Sequence, residues 1–380
     1  MLHLPVYLDN NATTPLDPRV LESMLPFFTT YFGNAASHSH TFGWEAEAAV
    51  KYAREQVAQL INAEPNEIVF TSGATESDNL ALKGIFEMYA GKGNHIITVT
   101  TEHKAVLDSC THLEKLGADI TYLNVQKDGV IDLKELERTI KPETILIAIM
   151  YANNETGVIQ PVKEIGLIAK KHGVLYFSDA TQAAGKIQVD VIEDGIDIMA
   201  FSAHKIYGPK GVGALYIRRK NPRVRLTAQI DGGGHERGFR SGTLNVPGIA
   251  GFGKACELCK IEMQKDSENL KILRDKLEAA LLNTKKATIN GSRKSRLPNV
   301  SNMSFKNRNS ADLMAKLSRN IALSSGSACT SATLSPSFVL KAMGLSDDEA
   351  LSSLRFGLGR FNTEEEIDYT IEQLTHLLTD

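Results

Sequence analysis

The chain has 380 residues, enough for a large core and two domains. Its 42% hydrophobic and 23% charged residues are those of an ordinary soluble globular protein, and a net charge of −3 gives no basic field for nucleic acid. Four cysteines, Cys110, Cys256, Cys259 and Cys329, are too few for a disulfide framework and point to a reducing compartment. The opening "MLHLPVYLDNNATTPLDP" has no basic region followed by an apolar run, so it reads as neither a signal nor a transit peptide. The longest apolar runs, such as "ILIAIM", fall far short of a membrane span. A cytoplasmic protein with no nucleic-acid or membrane partner is expected.

In chain order, residues 44–62 carry Ala46, Ala49, Val50, Ala53, Val57 and Leu60 on one helical face. A short buried strand is predicted at "EIVF" (67–70), then a helix through "SDNLALKGIFEMYA". The strand "HIITVT" (95–100), a helix near 105–116 and the strand "DITYLNV" follow. "TILIAIMY" (144–151) leads into a helix at 162–172, and "VLYFSD", "DIMAFS" and "GALYIR" are three more strands. Strands alternating with helices predict a mostly parallel sheet, here of seven strands, covered on both faces. A long charged helix at 248–283 then gives way to shorter strands ("NVSNMSF", "IALSSG") and two C-terminal helices. We therefore expect a large domain over 14–260 and a smaller α+β domain formed by 1–13 and 261–380.

Ligands of an open parallel sheet sit at the carboxyl ends of its strands. Five predicted ends carry polar and titratable runs: "TSGATES", "TEHKAV", "ANNETG", "DATQ" and "AHKIYGPKG". "TSGATES" opens a helix whose N-terminal N–H groups could hold a phosphate, or are simply capped. There is neither a G-x-x-x-x-G-K-[ST] loop nor a G-x-G-x-x-G turn in the first strand–helix unit, so a nucleotide or dinucleotide site is not expected. Lys205 in "SAHK" could form a Schiff base with an aldehyde cofactor. Asp179 in "DATQ" could pair with a pyridinium nitrogen. A phosphate cradle, a lysine and an aspartate on neighbouring strand ends are what pyridoxal phosphate needs.

Across nearly its whole length the chain resembles the class V aminotransferase family, and within it the group I cysteine desulfurases of NifS/IscS type. The resemblance rests on "YLDNNATT", "TSGATESDNLA", "TEHKAVL", "NNETG", "SDATQ", "SAHKIYGPKG", "GGGHERGFRSGT", "SSGSACTS" and "LRFGLGR", in that order. It implies the fold type I architecture of pyridoxal-phosphate-dependent transferases. It also implies a homodimer that converts L-cysteine to L-alanine and keeps the sulfur as a persulfide. By the same resemblance Lys205 is the cofactor's lysine, which later removes the Cα proton. Asp179 faces the ring nitrogen, Gln182 the phenolic oxygen, and His103 stacks on the ring and moves protons. Ala74, Thr75, Ser202 and His204 hold the phosphate, and Thr243 reaches the phosphate of the other subunit. Asn154 and Arg355 hold the substrate, the latter through its guanidinium fork.

Cys329, alone among small residues in "SSGSACTSATLSP" (324–336), is the expected nucleophile toward the substrate sulfur. It must act as a thiolate, which an unperturbed thiol of pKa about 8.5 mostly is not at neutral pH. The persulfide would pass to a protein acceptor such as an iron–sulfur scaffold, and Cys329 is also a candidate ligand for such a cluster; no other metal site is expected. Related enzymes often have an acidic residue where this chain has Ser335. The best-known housekeeping members continue past the last helix into a scaffold-docking tail, whereas this sequence stops at "LLTD", which leaves the acceptor open.

Other features read more plainly. "CELC" (256–259) sits inside a long helix without a second pair and is read as core, as is Cys110. "HSH" (38–40) lacks carboxylate partners for a metal, "GGGHERG" is a backbone turn near the cofactor, and "RRKNPRVR" (218–225) is a solvated basic face. The competing readings are a selenocysteine lyase or other class V enzyme, and a catalytically silent partner-binding scaffold. The thirteen-residue cysteine loop favours the desulfurase over the first, and joint retention of Lys205, Asp179, His103 and Cys329 argues against the second.

Overall fold

The computed structural model describes residues 2–325 and 335–379. Cys329 and the centre of its loop lie outside the described residues.

The strands in chain order are β1 (Val6–Tyr7), β2 (Ile68–Thr71), β3 (His95–Val99), β4 (Asp119–Leu123), β5 (Thr144–Ala148), β6 (Leu175–Asp179), β7 (Ile198–Ser202), β8 (Gly213–Ile217), β9 (Ala287–Ile289), β10 (Val300–Phe305), β11 (Ile321–Ala322) and β12 (Ser353–Gly357). Seven of them form one sheet in the order β2-β8-β7-β6-β5-β3-β4. Neighbours from β7 to β4 run parallel, while β8 is antiparallel to both β7 and β2. The seven strands expected from the sequence are thus the seven observed.

Side-chain alternation divides the sheet between two apolar cores. Ile198, Ala200, Leu215 and Ile217 face one core, and Met199, Phe201, Ala214 and Tyr216 face the other. Both layers are dry, so these strands read as continuous apolar runs. Helix Ala74–Met88 covers one face. Helix Thr41–Leu60 and the first half of helix Val246–Asn283 cover the other.

A third apolar core gathers Val6, Leu8, Leu270, Leu277, Leu281, Met303, Phe305, Leu354, Phe356 and Leu374. It packs on the antiparallel sheet β12-β10-β9, and the parallel pair β1-β11 contributes to it. Helix Val246–Asn283 is 38 residues long, roughly 57 Å at 1.5 Å per residue. Its first half buries Ile249, Phe252, Cys256 and Cys259 in the large core, and its second half buries Leu270, Leu277 and Leu281 in the third. Asn245 caps it by accepting from Gly248 N at 3.1 Å, with proline in the first turn.

Some elements differ from the sequence expectation. The helix expected from Ser77 begins at Ala74, because Gly73 ends the loop at φ +151°, open to glycine alone among common residues. "IALSSG" forms a strand only over Ile321–Ala322, against the short β1, and then a single antiparallel bridge from Ser324 to Arg355. "DITYLNV" is regular only to Leu123.

Candidate active site

The strand ends open into one cavity of about 580 Å³. Ten of the residues singled out in the sequence line it: Ala74, Thr75, His103, Asn154, Asp179, Gln182, Ser202, His204, Lys205 and Arg355. Thr243 does not; it is exposed, in the loop before helix Val246–Asn283. Cys329 lies outside the described residues.

Asp179 is the last residue of β6, and only 7% of it is exposed. Its Oδ1 accepts from Thr181 N at 2.8 Å, which fixes the carboxylate at the cavity wall. Lys205 ends the 3₁₀ turn Ala203–Lys205 directly after β7. Its Nζ donates to the Asn11 and Ala12 carbonyls, each at 2.6 Å. Gln182 Nε2 donates to the same Asn11 carbonyl at 3.0 Å, and its Oε1 accepts from Lys186 Nζ at 2.8 Å.

His103 caps helix Lys104–Glu114, with Nδ1 accepting from Ala105 N at 3.2 Å. An accepting Nδ1 leaves Nε2 as the nitrogen that carries the proton of a neutral ring. His204 Nδ1 lies 3.1 Å from Thr13 Oγ1. Burial, reinforced by Lys205, Lys210 and Lys186, pushes its pKa down to about 4, so this imidazole is neutral near pH 7.

The start of helix Ala74–Met88 forms one end of the cavity. Gly73 has no side chain to cap it, so the first N–H groups are left for an external acceptor. A Cβ on Gly73 would come to 3.7 Å from Ser202 Oγ, across the same cradle. Glu76, in that first turn, is neutralised by Arg240 at 2.8 Å. Burial is the largest single effect and acts to raise its pKa, but Arg240 and the hydrogen bonds from Ser72 together outweigh it and hold the carboxyl below the usual range.

At the other end stands Arg355, on β12 and 3% exposed. Nη2 donates to Asp9 Oδ1 at 2.7 Å and Nη1 to the Asn154 carbonyl at 3.1 Å. Its buried Nε has no hydrogen-bond partner among the described residues. The guanidinium lines the cavity, where its planar fork suits an incoming carboxylate.

The N-terminal segment laces these parts together, a role that the sequence reading quoted in "YLDNNATT" without assigning. Asn11 is 1% exposed; its carbonyl serves Lys205 and Gln182, and its Nδ2 donates to the Asn154 carbonyl at 3.1 Å. Asn10 Nδ2 donates to the Gly357 carbonyl at 2.9 Å. A Cβ on Gly357 would come within 2.7 Å of Asn11 Oδ1, so the close approach of these segments requires glycine there. The available signal was a polar Asp-Asn-Asn run directly after two apolar-strand residues. Thr181 and Lys210 lie inside the runs "SDATQ" and "SAHKIYGPKG" but carried no assigned role, and Lys186 lies four residues beyond the first run.

The donor set fits pyridoxal phosphate. A carboxylate on one wall suits the pyridine nitrogen, an amide the ring oxygen, a lysine the aldehyde, and an uncapped helix start the phosphate. The three described cysteines lie in the core, as expected, while His38 of "HSH" does meet a carboxylate, Glu47, at 3.5 Å. Cys110, Cys256 and Cys259 are buried free thiols; burial raises all three pKa values, Cys110 to about 12 and Cys259 to about 11. Among the described residues no cluster could hold a metal ion, and His40 serves as a helix cap. No described helix is long and apolar enough to cross a membrane.

Known proteins share this plan. The family described as aminotransferase class-V matches residues 6–370. The protein named cysteine desulfurase IscS from Anaeromyxobacter sp. (strain Fw109-5) is 57% identical over 371 residues, 97% of this chain and 91% of the relative. Its namesake from Escherichia coli (strain K12 / DH10B) is 55% identical over 373 residues, 98% and 92% of the two chains. Among solved structures, a NifS-like protein superposes with a TM-score of 0.92 at 41% identity, covering 99% of this chain and all of the other. A structure titled SspA in complex with cysteine superposes at 0.81 with 37% identity, over 94% and 100% of the chains. With the geometry above, these likenesses establish that the chain belongs to the class V aminotransferase family, among its pyridoxal-phosphate-dependent IscS-type cysteine desulfurases.

Proposed function

We propose that this cavity takes sulfur from L-cysteine, leaving L-alanine, and that Cys329 receives it as a persulfide. The observation that carries the reading is the convergence of Lys205, Asp179, His103, Gln182, Arg355 and an uncapped helix start on one cavity.

Ala74, Thr75, Ser202 and the neutral His204 would hold the cofactor's phosphate, with Asp179 at the ring nitrogen, Gln182 at the ring oxygen and His103 against the ring face. Pyridoxal phosphate, when bound, supplies the electron sink that makes the substrate's Cα proton removable and its C–S bond breakable. Arg355 and Asn154 receive the substrate carboxylate, and the guanidinium of Arg355, which lines the cavity, gives it a charged donor. Lys205 takes the Cα proton at Nζ, close to the Asn11 and Ala12 carbonyls that hold it as an ammonium. His103 would accept the proton that activates the thiols at Nδ1, giving up the hydrogen bond from Ala105 N, because Nε2 already carries one.

The Cys329 thiolate then attacks the substrate sulfur. An S–S bond forms, the C–S bond breaks, and its electron pair returns to the carbon skeleton, which takes up protons and leaves as alanine. The balance is L-cysteine plus enzyme thiol giving L-alanine plus enzyme persulfide, with no outside oxidant. The persulfide passes to a protein acceptor in the cytoplasm, for iron–sulfur cluster assembly.

The same reading makes the enzyme a homodimer in which Thr243 completes the partner's phosphate site. Exposed Phe28, Phe32, Phe42, Trp44 and Tyr52 in the N-terminal third supply apolar surface for that contact. Purified protein incubated with pyridoxal phosphate and L-cysteine is expected to release alanine and, with a reductant, sulfide. Lys205→Ala is expected to release neither. Alanine formation that persists in that variant would overturn the assignment of Lys205, and activity on selenocysteine alone would overturn the substrate.

A further inference from the structure

Gln182 has one side-chain acceptor and two donors to satisfy. Its Oε1 accepts from Lys186 Nζ at 2.8 Å, and one Nε2 hydrogen goes to the Asn11 carbonyl at 3.0 Å. An ammonium has three donors and no acceptor, so while Lys186 is charged the oxygen of the amide must be the atom that faces it. The orientation of Gln182 is thereby forced, and what it turns toward the cavity is its second N–H.

Lys186 stands outside the cavity wall that Gln182 lines, four residues further along the chain. Its place is fixed from behind. Gly185 holds φ +72°, and a Cβ there would come within 2.8 Å of Ile206 and 3.0 Å of Cys259 Sγ. The backbone just before Lys186 is thus pressed against Ile206, which follows the Lys205 turn, and against helix Val246–Asn283. Burial pushes the Lys186 pKa down to about 7, helped by Lys205 and Arg355 and opposed by Cys259, the charged and titratable groups that act on it.

We propose that Lys186 is a positioning residue that holds Gln182 as an obligate donor toward the ring oxygen of pyridoxal phosphate, so that this oxygen is favoured as the anion. This rests on the reading that Gln182 meets that oxygen. A glutamine free to turn could offer its own oxygen instead, which would favour the protonated phenol. The side chain that selects between the two is Lys186, which touches neither substrate nor cofactor.

The test is a pH titration of the cofactor's visible absorption in the loaded, substrate-free protein. Lys186→Met is expected to raise the apparent pKa of the visible band by about one unit or more, since a hydrogen bond to a charged oxygen is at stake. Lys186→Arg, which keeps the donor, is expected to titrate like the wild type. In a Gln182→Leu background, Lys186→Met is expected to shift the titration no further, because the lysine acts through the amide. An unchanged titration in Lys186→Met would overturn the proposal. So would an equal shift in the Gln182→Leu background, which would mean plain charge acting at a distance. Should Lys186→Met not fold, Lys186→Gln carries the same test, with an amide able to donate or accept in the same space. Wild-type protein that takes up no cofactor at all would instead overturn the underlying reading of the site.

Discussion

Arg355 and Asp9 lie 346 residues apart and form an ion pair of 2.7 Å, with 3% of the arginine side chain and 20% of the aspartate exposed. The pair ties the N-terminal segment to β12 and aims the guanidinium at the cavity. Removing one partner of a buried pair leaves the other uncompensated. Asp9→Ala is therefore expected to lower stability by about 3 kcal/mol in urea unfolding. It should also raise KM for L-cysteine more than it lowers kcat, with the cofactor absorption unchanged. Unaltered kinetics would mean that Arg355 does not meet the substrate.

Gly73 carries the loop into the helix that would cradle the phosphate, at a φ of +151°. An alanine there is strained by its backbone, and its methyl group points at Ser202. Gly73→Ala is expected to weaken pyridoxal phosphate binding at least about tenfold in a fluorescence titration, equivalent to ~1.4 kcal/mol. Unimpaired binding would remove the helix start from the phosphate site.

His204 gives a pH signature. Its folded pKa of about 4 lies below the ordinary value of 6.5, chiefly through burial, then through Lys205, Lys210 and Lys186. Between these values the unfolded chain binds the extra proton, so stability falls as pH drops from about 6.5 toward 4 and levels off below. His204→Gln is expected to flatten that part of the stability profile in the cofactor-free protein. A slope as steep as the wild type would show that His204 is not the group concerned.

Glu155 acts in the opposite sense. Burial pushes its carboxyl up to about 7, against the Ser337 hydroxyl that donates to it at 2.5 Å and against the Arg355 charge. The folded state then holds a proton that the unfolded chain has released, so stability falls as pH rises from the ordinary value of 4.5 to about 7. Ser337 caps the helix that begins just after the cysteine loop, so the pair anchors one root of that loop. Glu155→Gln should gain on the wild type in urea midpoint as pH rises over that window. A constant difference at all pH values would contradict this.

Much of this architecture is legible in the sequence because the strands are buried on both faces and end in chemically distinctive runs. The seven strands, the 38-residue helix and ten cavity-lining residues follow from apolar runs, helical spacing and the family motifs. Less legible are elements defined by distant partners. The two-residue β1 exists only because Ile321 and Ala322 lie beside it. Asn11 acts through a backbone carbonyl, which no residue type advertises. Lys186 looks like a surface lysine until the fold presses it against Gln182. Thr243 is exposed and outside the cavity of its own chain.

The central claim is that Cys329 carries the sulfur, and the most direct measurement is the mass of the protein after a single turnover. Loaded enzyme mixed with one equivalent of L-cysteine, without reductant, should gain the mass of one sulfur atom. The gain should map to the peptide containing Cys329, with one alanine released per sulfur gained. Cys329→Ala should keep the cofactor's absorption and gain nothing. Sulfur on another residue, or normal turnover in Cys329→Ala, would contradict the account.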